Sequence, residues 1–178
     1  MKRDVLIHFI FLIAFNVLIS VLKGWIDISY WPFWLGMILG TILPDLDHLV
    51  YVYFLEPNDL TSQRVTYSIS KKEIFKSVAL LYDTRRERLK LIFHTAWFQI
   101  LFLILAIFVS TSSASVIGFG IVFAFSIHLL VDQLLDLLEV QNLDSWFKGF
   151  LNIQMNTNRY WAYFGLILFV TVLCVFIF

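Results

Sequence analysis

Five stretches of this chain, at about residues 5–22, 31–54, 91–109, 116–138 and 159–178, are apolar over a length close to that of a membrane span. Crossing about 30 Å of hydrocarbon takes roughly 20 helical residues. The expected fold class is therefore all-α, a single polytopic membrane helix bundle of about five transmembrane helices. The second stretch is the least regular, because Pro44 and an acid cluster interrupt it. A broken span is tolerated where protein rather than lipid surrounds it. Composition agrees: 60% of the 178 residues are hydrophobic, against about 45–50% in a soluble domain. The single cysteine, Cys174, excludes a disulfide-stapled domain. Met1-Lys2-Arg3 precedes an apolar run that lacks a small-residue cleavage pattern between Ile19 and Trp25, so it is read as a retained first span.

The 13 basic and 13 acidic residues cancel, which gives no argument for nucleic acid. Their distribution sets orientation, since Lys and Arg are retained on the cytoplasmic side. With the N-terminus inside and the C-terminus outside, only Lys23 of the 13 basic residues falls outside. That arrangement suits an inner-membrane protein and agrees with an odd number of spans. In the loop 56–90, Ser70 and Glu73 have the spacing of a capping box, and Ile74, Phe75, Val78 and Leu81 recur at helical intervals beside Lys71, Lys72 and Lys76. This predicts a cytoplasmic amphipathic helix, either lying on the inner leaflet or solvated. The later loop, Glu139 to Asn158, carries Trp146 and Phe147 and is expected to cover the cytoplasmic mouth.

All four histidines, His8, His48, His94 and His128, lie in apolar stretches, together with Asp45, Asp47 and Asp132. A charge at that depth costs at least about 2.5 kcal/mol, so such groups face a bundle interior and have work there. Counting about 1.5 Å per helical residue places all seven in the inner third of the membrane. His128 and Asp132, four apart, share a helix face, as do Asp45 and His48, three apart. The two readings are a metal or catalytic cluster and a set of buried ion pairs that hold helices together. Three protein ligands suffice for a catalytic zinc. Four histidines and three aspartates suit two ions, or one ion and a general base. Asp136, one turn beyond Asp132, either continues the polar face or is an exposed end residue.

With His8, the segment Leu43-Pro44-Asp45-Leu46-Asp47-His48, His94-Thr95 and His128 with Asp132 in this order, residues 1 to 138 resemble the YdjM-like family of membrane-bound, metal-dependent hydrolases. The chain departs from that family's pattern at Leu89, Lys90 and Phe93, and again at Gln133-Leu134-Leu135-Asp136. The resemblance implies hydrolysis of a membrane-accessible ester or phosphoester, with phospholipid-like molecules the natural substrates and membrane lipid the partner. It implies metal ligation among His8, Asp45, His48, His94, His128 and Asp132, with Asp47 or Asp132 as proton acceptor or holder of a second ion. The cofactor would be one or two divalent ions, zinc first and manganese or iron as alternatives. No G-x-S-x-G elbow, Cys/His pairing or glycine-rich phosphate loop points to other chemistry. The rival readings are a non-catalytic membrane scaffold and an ion transport protein. A transport path needs polar groups at successive depths, and the outer halves of the spans hold little beyond Asn16, Ser20 and Ser126.

Overall fold

A computed structural model describes residues 2–84, 87–88, 90–112, 115–148 and 155–178, with side chains from Phe9 onward. The described residues are helical, with no strand among them. Helix α1 (Lys2–Lys23) leads through a turn at Gly24 to α2 (Trp31–Ile42), which has Pro32 in its first turn, where a missing N–H leaves no bond unmade. The same rod tightens into a 3₁₀ turn at Leu43–Asp45, around Pro44. It resumes as α3 (Leu46–Val50) and widens into a π turn at Tyr51–Leu55. A hairpin of α4 (Leu60–Ser70) and α5 (Ile74–Asp83) follows, then α6 (Ala96–Ser112), α7 (Val116–Glu139), the short α8 (Asp144–Phe147) and α9 (Thr157–Ile177). Polar caps start three of these helices. Asp59 accepts from Thr61 N, Ser115 from Gly118 N and Asn156 from Arg159 N, each satisfying a backbone donor that has no partner within the helix.

Among the described residues, three helices are long and apolar enough to cross a membrane: Ile28–Leu55, Val116–Glu139 and Thr157–Ile177. The other two apolar stretches form shorter helical segments, Phe9–Lys23 and Ala96–Ser112. The third predicted span begins at Ala96 rather than at residue 91 because the backbone N–H groups of Ile92, Phe93 and His94 are bound to the Asp47 carboxylate instead of to a helix. Helix α7 is the central post, packed against α1, α2, α6 and α9. Outward faces of the surrounding helices carry exposed Ile13, Ile38, Leu101, Phe108, Phe169 and Phe176. A soluble monomer rarely leaves so many large apolar side chains uncovered, which is consistent with a membrane protein.

The α2–α7 contact is close because both helices present glycine. A Cβ at Gly36 would lie 2.3 Å from the carbonyl oxygen of Ile117. One at Gly40 would lie 2.3 Å from that of Ile121, and one at Gly120 would lie 2.6 Å from that of Phe33. Gly36 and Gly40 form a small-xxx-small stripe of the kind that lets membrane helices approach at backbone distance. Helices α6, α7 and α9 share a buried polar knot. Gln99 and Gln133 exchange amide hydrogen bonds of 3.3 and 2.7 Å, and Tyr163 donates to Gln99 Oε1 at 2.6 Å.

The amphipathic helix forms as α5, but the capping box does not. Ser70 ends α4 and donates back to the Tyr67 carbonyl at 2.7 Å, and Lys72 then takes a positive φ of 59°. Glu73 instead pairs with Lys76 at 2.9 Å. The S-x-x-E spacing here straddles a helix end and a helix start, because α4, not anticipated from sequence, uses Ser70 as its last residue. Leu80 and Leu81 pack toward Tyr51, Val52 and Val65, while Phe75 is 94% exposed. In the described part of the 139–158 loop, Trp146 and Phe147 are buried on α8.

Candidate metal centre

Asp47 organises the site from behind. It is fully buried on α3, and its carboxylate accepts from Ile92 N at 3.0 Å, Phe93 N at 2.6 Å and His94 N at 3.2 Å. These three donors make residues 92–94 wrap around one anion, a concavity built from successive backbone N–H groups. The same carboxylate lies 3.2 Å from His94 Nδ1. A carboxylate only accepts, so Nδ1 carries a proton; Nε2 also faces a carboxylate and would offer its lone pair only where an ion takes the place of the proton between them. That second carboxylate is Asp132, whose Oδ2 lies 3.1 Å from Nε2.

The second imidazole is fixed in the same way by a different partner. His128 is 1% exposed on α7, and its Nδ1 lies 2.7 Å from the Thr41 carbonyl oxygen, to which it must donate. That carbonyl sits just before Pro44 and the 3₁₀ turn, where the helix changes its hydrogen-bonding pattern. His128 Nε2 then faces Asp132 Oδ2 at 3.3 Å and Asp45 Oδ1 at 3.5 Å.

Donor atoms of His94, His128 and Asp132 lie within 4.8 Å of one another. Tetrahedral zinc ligands at about 2.1 Å from the ion would sit about 3.4 Å apart, close to the 3.1 and 3.3 Å separations found here. Each imidazole also donates its remote N–H to a carboxylate or a backbone carbonyl, the usual outer-shell support of a metal-ligating histidine. The residues present therefore fit a divalent ion.

The other sequence candidates take positions around this group. Asp45 stands at its lip with a side chain 55% exposed. His48 lies beside the group, stacked on His94 with ring centroids 5.2 Å apart, and its Nδ1 accepts from Arg88 Nε at 3.3 Å. His8 is on α1, and its side chain lies outside the described residues. Asp136 continues the polar face and accepts from Trp146 Nε1 at 2.9 Å, which brings the indole to 5.6 Å from the His94 ring.

Sequence reasoning does not single out Arg88, one of eight basic residues between Arg64 and Lys90. It is 3% exposed, donates to Thr84 Oγ1 at 2.9 Å and also to the Leu81 carbonyl, and burial pulls its guanidinium down to about 10. It is therefore still cationic at neutral pH. The one available signal is the Thr84 hydroxyl four residues before it, which is too common to be noticed. Arg88, His48, Trp146 and Lys148 line one cavity of about 350 Å³ together with His94 and Asp132 of the candidate group.

Compared with family profiles, curated proteins and solved structures, the chain gives no match, so the geometry alone carries the functional reading.

One consequence is measurable at Asp47. In Asp47→Asn an amide N–H₂ replaces one acceptor oxygen and faces backbone donors, so the 92–94 turn loosens and His94 loses its orientation. Metal affinity is expected to fall about 10–100-fold, the range for outer-shell changes. Competition with a chromogenic chelator on detergent-purified protein reads this directly. Unchanged affinity in a folded variant would remove Asp47 from the support of the site.

Proposed function

We propose that the chain is a membrane-bound, metal-dependent hydrolase of a membrane-accessible ester or phosphoester, with phospholipid-like substrates. The observation that carries this reading is the convergence of His94, His128 and Asp132, with each imidazole locked from behind by Asp47 or Thr41. In this reading α1 and α6 also cross the bilayer, α6 at a slight tilt or with local thinning, since 17 residues give about 25 Å. Five spans, with the basic loop 56–90 inside, put the N-terminus in the cytoplasm, the C-terminus outside and the site at the inner leaflet of the cell's inner membrane.

His94, His128 and Asp132 would hold a divalent ion, which would supply Lewis acidity to water and to the ester oxygen. Zinc is the first choice for a two-imidazole, one-carboxylate set, with manganese or iron as alternatives and His48 or Asp45 available for a second ion. Asp45, exposed at the lip and 3.5 Å from His128 Nε2, is placed to take a proton from water. Asp47 fits a positioning part, because its oxygens already hold three backbone donors and His94. Trp146 walls the cavity and limits water around the reacting groups.

Elemental analysis of protein purified without chelator tests the proposal. About one equivalent of zinc, manganese or iron per chain is expected. Turnover of lipid phosphoesters presented in bilayers should stop on chelation and return on metal addition. Protein that neither carries metal nor takes it up on titration would leave the cluster as a set of ion pairs that locks helices in a scaffold.

A further inference from the structure

We infer that the cavity beside the metal group takes the phosphate group of a phosphoester, held by Arg88 and Lys148, rather than a carboxylic ester. This rests on the reading of His94, His128 and Asp132 as a metal group and adds the substrate class. Arg88 is a buried cation whose described hydrogen-bond partners, His48 Nδ1, Thr84 Oγ1 and the Leu81 carbonyl, are all neutral. Glu87 and Asp59 act on its charge, but none of its described hydrogen bonds goes to a carboxylate, and a buried guanidinium gains from an anion that bonds it directly. Among the described residues three of its five N–H groups are used, and the one remaining on each terminal nitrogen suits the two-pronged recognition of phosphate oxygens.

Lys148, exposed, lines the same cavity. Asp132, Asp136 and Asp144 also line the cavity; Asp136 and Asp144 are oriented by the Trp146 Nε1 and Tyr160 hydroxyl donors without losing their charge, so an anion there relies on Arg88, Lys148 and the ion proposed at Asp132 together. The volume of about 350 Å³ falls within the range of small-ligand sites and leaves room for a phosphate with its first substituent. His48 joins the two halves of the site, since one ring contacts both the guanidinium and the His94 ring. A carboxylic ester is neutral and gives a buried guanidinium nothing to compensate. In hydrolysis the water oxygen bonds to phosphorus and the P–O bond to the alcohol breaks. The leaving oxygen departs with one proton of the water, and the other proton stays on the phosphate.

The test titrates two probes, inorganic phosphate and short-chain phosphatidic acid in micelles, into metal-loaded and chelator-treated protein. Wild type is compared with Arg88→Lys, which keeps the charge and loses the fork, and with the surface variant Lys148→Ala. Thermal melting and metal content are read on the same samples. The dissociation constant should rise at least tenfold in Arg88→Lys and several-fold in Lys148→Ala, with metal content per chain unchanged. Arg88-dependent binding of both probes supports a free or lipid phosphate, and binding of phosphatidic acid alone supports a lipid headgroup. If neither probe binds, or if both bind all three proteins alike, the inference is overturned. Arg88-dependent binding by protein that holds no metal would keep the anion site and end the metal reading. Metal in every sample with Arg88-independent binding would do the reverse.

Discussion

Asp132→Ala is expected to strip the metal from the purified protein. Asp132 Oδ2 lies close to both locked imidazoles, 3.1 Å from His94 Nε2 and 3.3 Å from His128 Nε2. Removing it takes away both a ligand and the negative charge that offsets the ion. The loss should therefore exceed the roughly 10–100-fold expected from outer-shell changes such as Asp47→Asn. Asp132→Asn keeps the shape and separates charge from space filling, and should also bind metal poorly. Elemental analysis and chelator competition read both variants, with circular dichroism to confirm the helical fold. Wild-type stoichiometry and affinity in Asp132→Ala would move the ion away from this carboxylate, toward Asp45 and His48.

The second large effect is expected from glycine. In Gly36→Ala or Gly40→Ala the new methyl group would stand 2.3 Å from a backbone carbonyl oxygen of α7, and backbone cannot swing aside as a side chain can. Overpacking of this kind costs about 1–3 kcal/mol per site, and the two substitutions together should cost more than either alone. Gly40 also precedes Thr41, whose carbonyl holds His128, so forcing α2 off α7 should weaken metal binding as well as stability. Gly165→Ala on α9 is the matched control. Nothing lies within 4 Å of its Cβ, and replacing glycine within a helix gains roughly 0.5–1 kcal/mol. Thermal unfolding in detergent should rank Gly165→Ala at or above wild type and Gly40→Ala well below it. A Gly40→Ala variant that melts like wild type would contradict the close helix contact.

Much of this arrangement is legible in the amino-acid order, and the exceptions have physical causes. Apolar runs announce α2, α7 and α9 directly, because length and hydropathy are local properties. The pairing of His128 with Asp132 is equally local, four residues apart on one face. That His94 would meet them required only that depth be counted from the loop. Its actual orientation could not be counted, since it depends on Asp47 reaching 45 residues along the chain to bind Ile92 N. The same carboxylate shortens the third predicted span by turning residues 92–94 out of helical bonding. The Gly36 and Gly40 stripe is plain once α7 is beside it. Without a partner helix, glycines in an apolar run have many readings. Arg88 was hidden for a different reason: a basic residue in a basic loop looks like an orientation signal, and only its burial shows otherwise.

The Gln99, Gln133 and Tyr163 knot bears on how accurately the ligands can be aimed. Gln133 follows Asp132 directly on α7, and Gln99 stands five residues after His94 on α6, the helix that follows the 92–94 turn, so the paired amides work as an alignment pin between α6 and α7 close to the candidate site. A slip of one residue, or a twist of α6 about its axis, would strand two amides in a medium with no water to receive them. The approach of α6 to α7, and with it the distance from His94 to Asp132, is thereby indexed by a pair of neutral side chains that stand outside the candidate metal group.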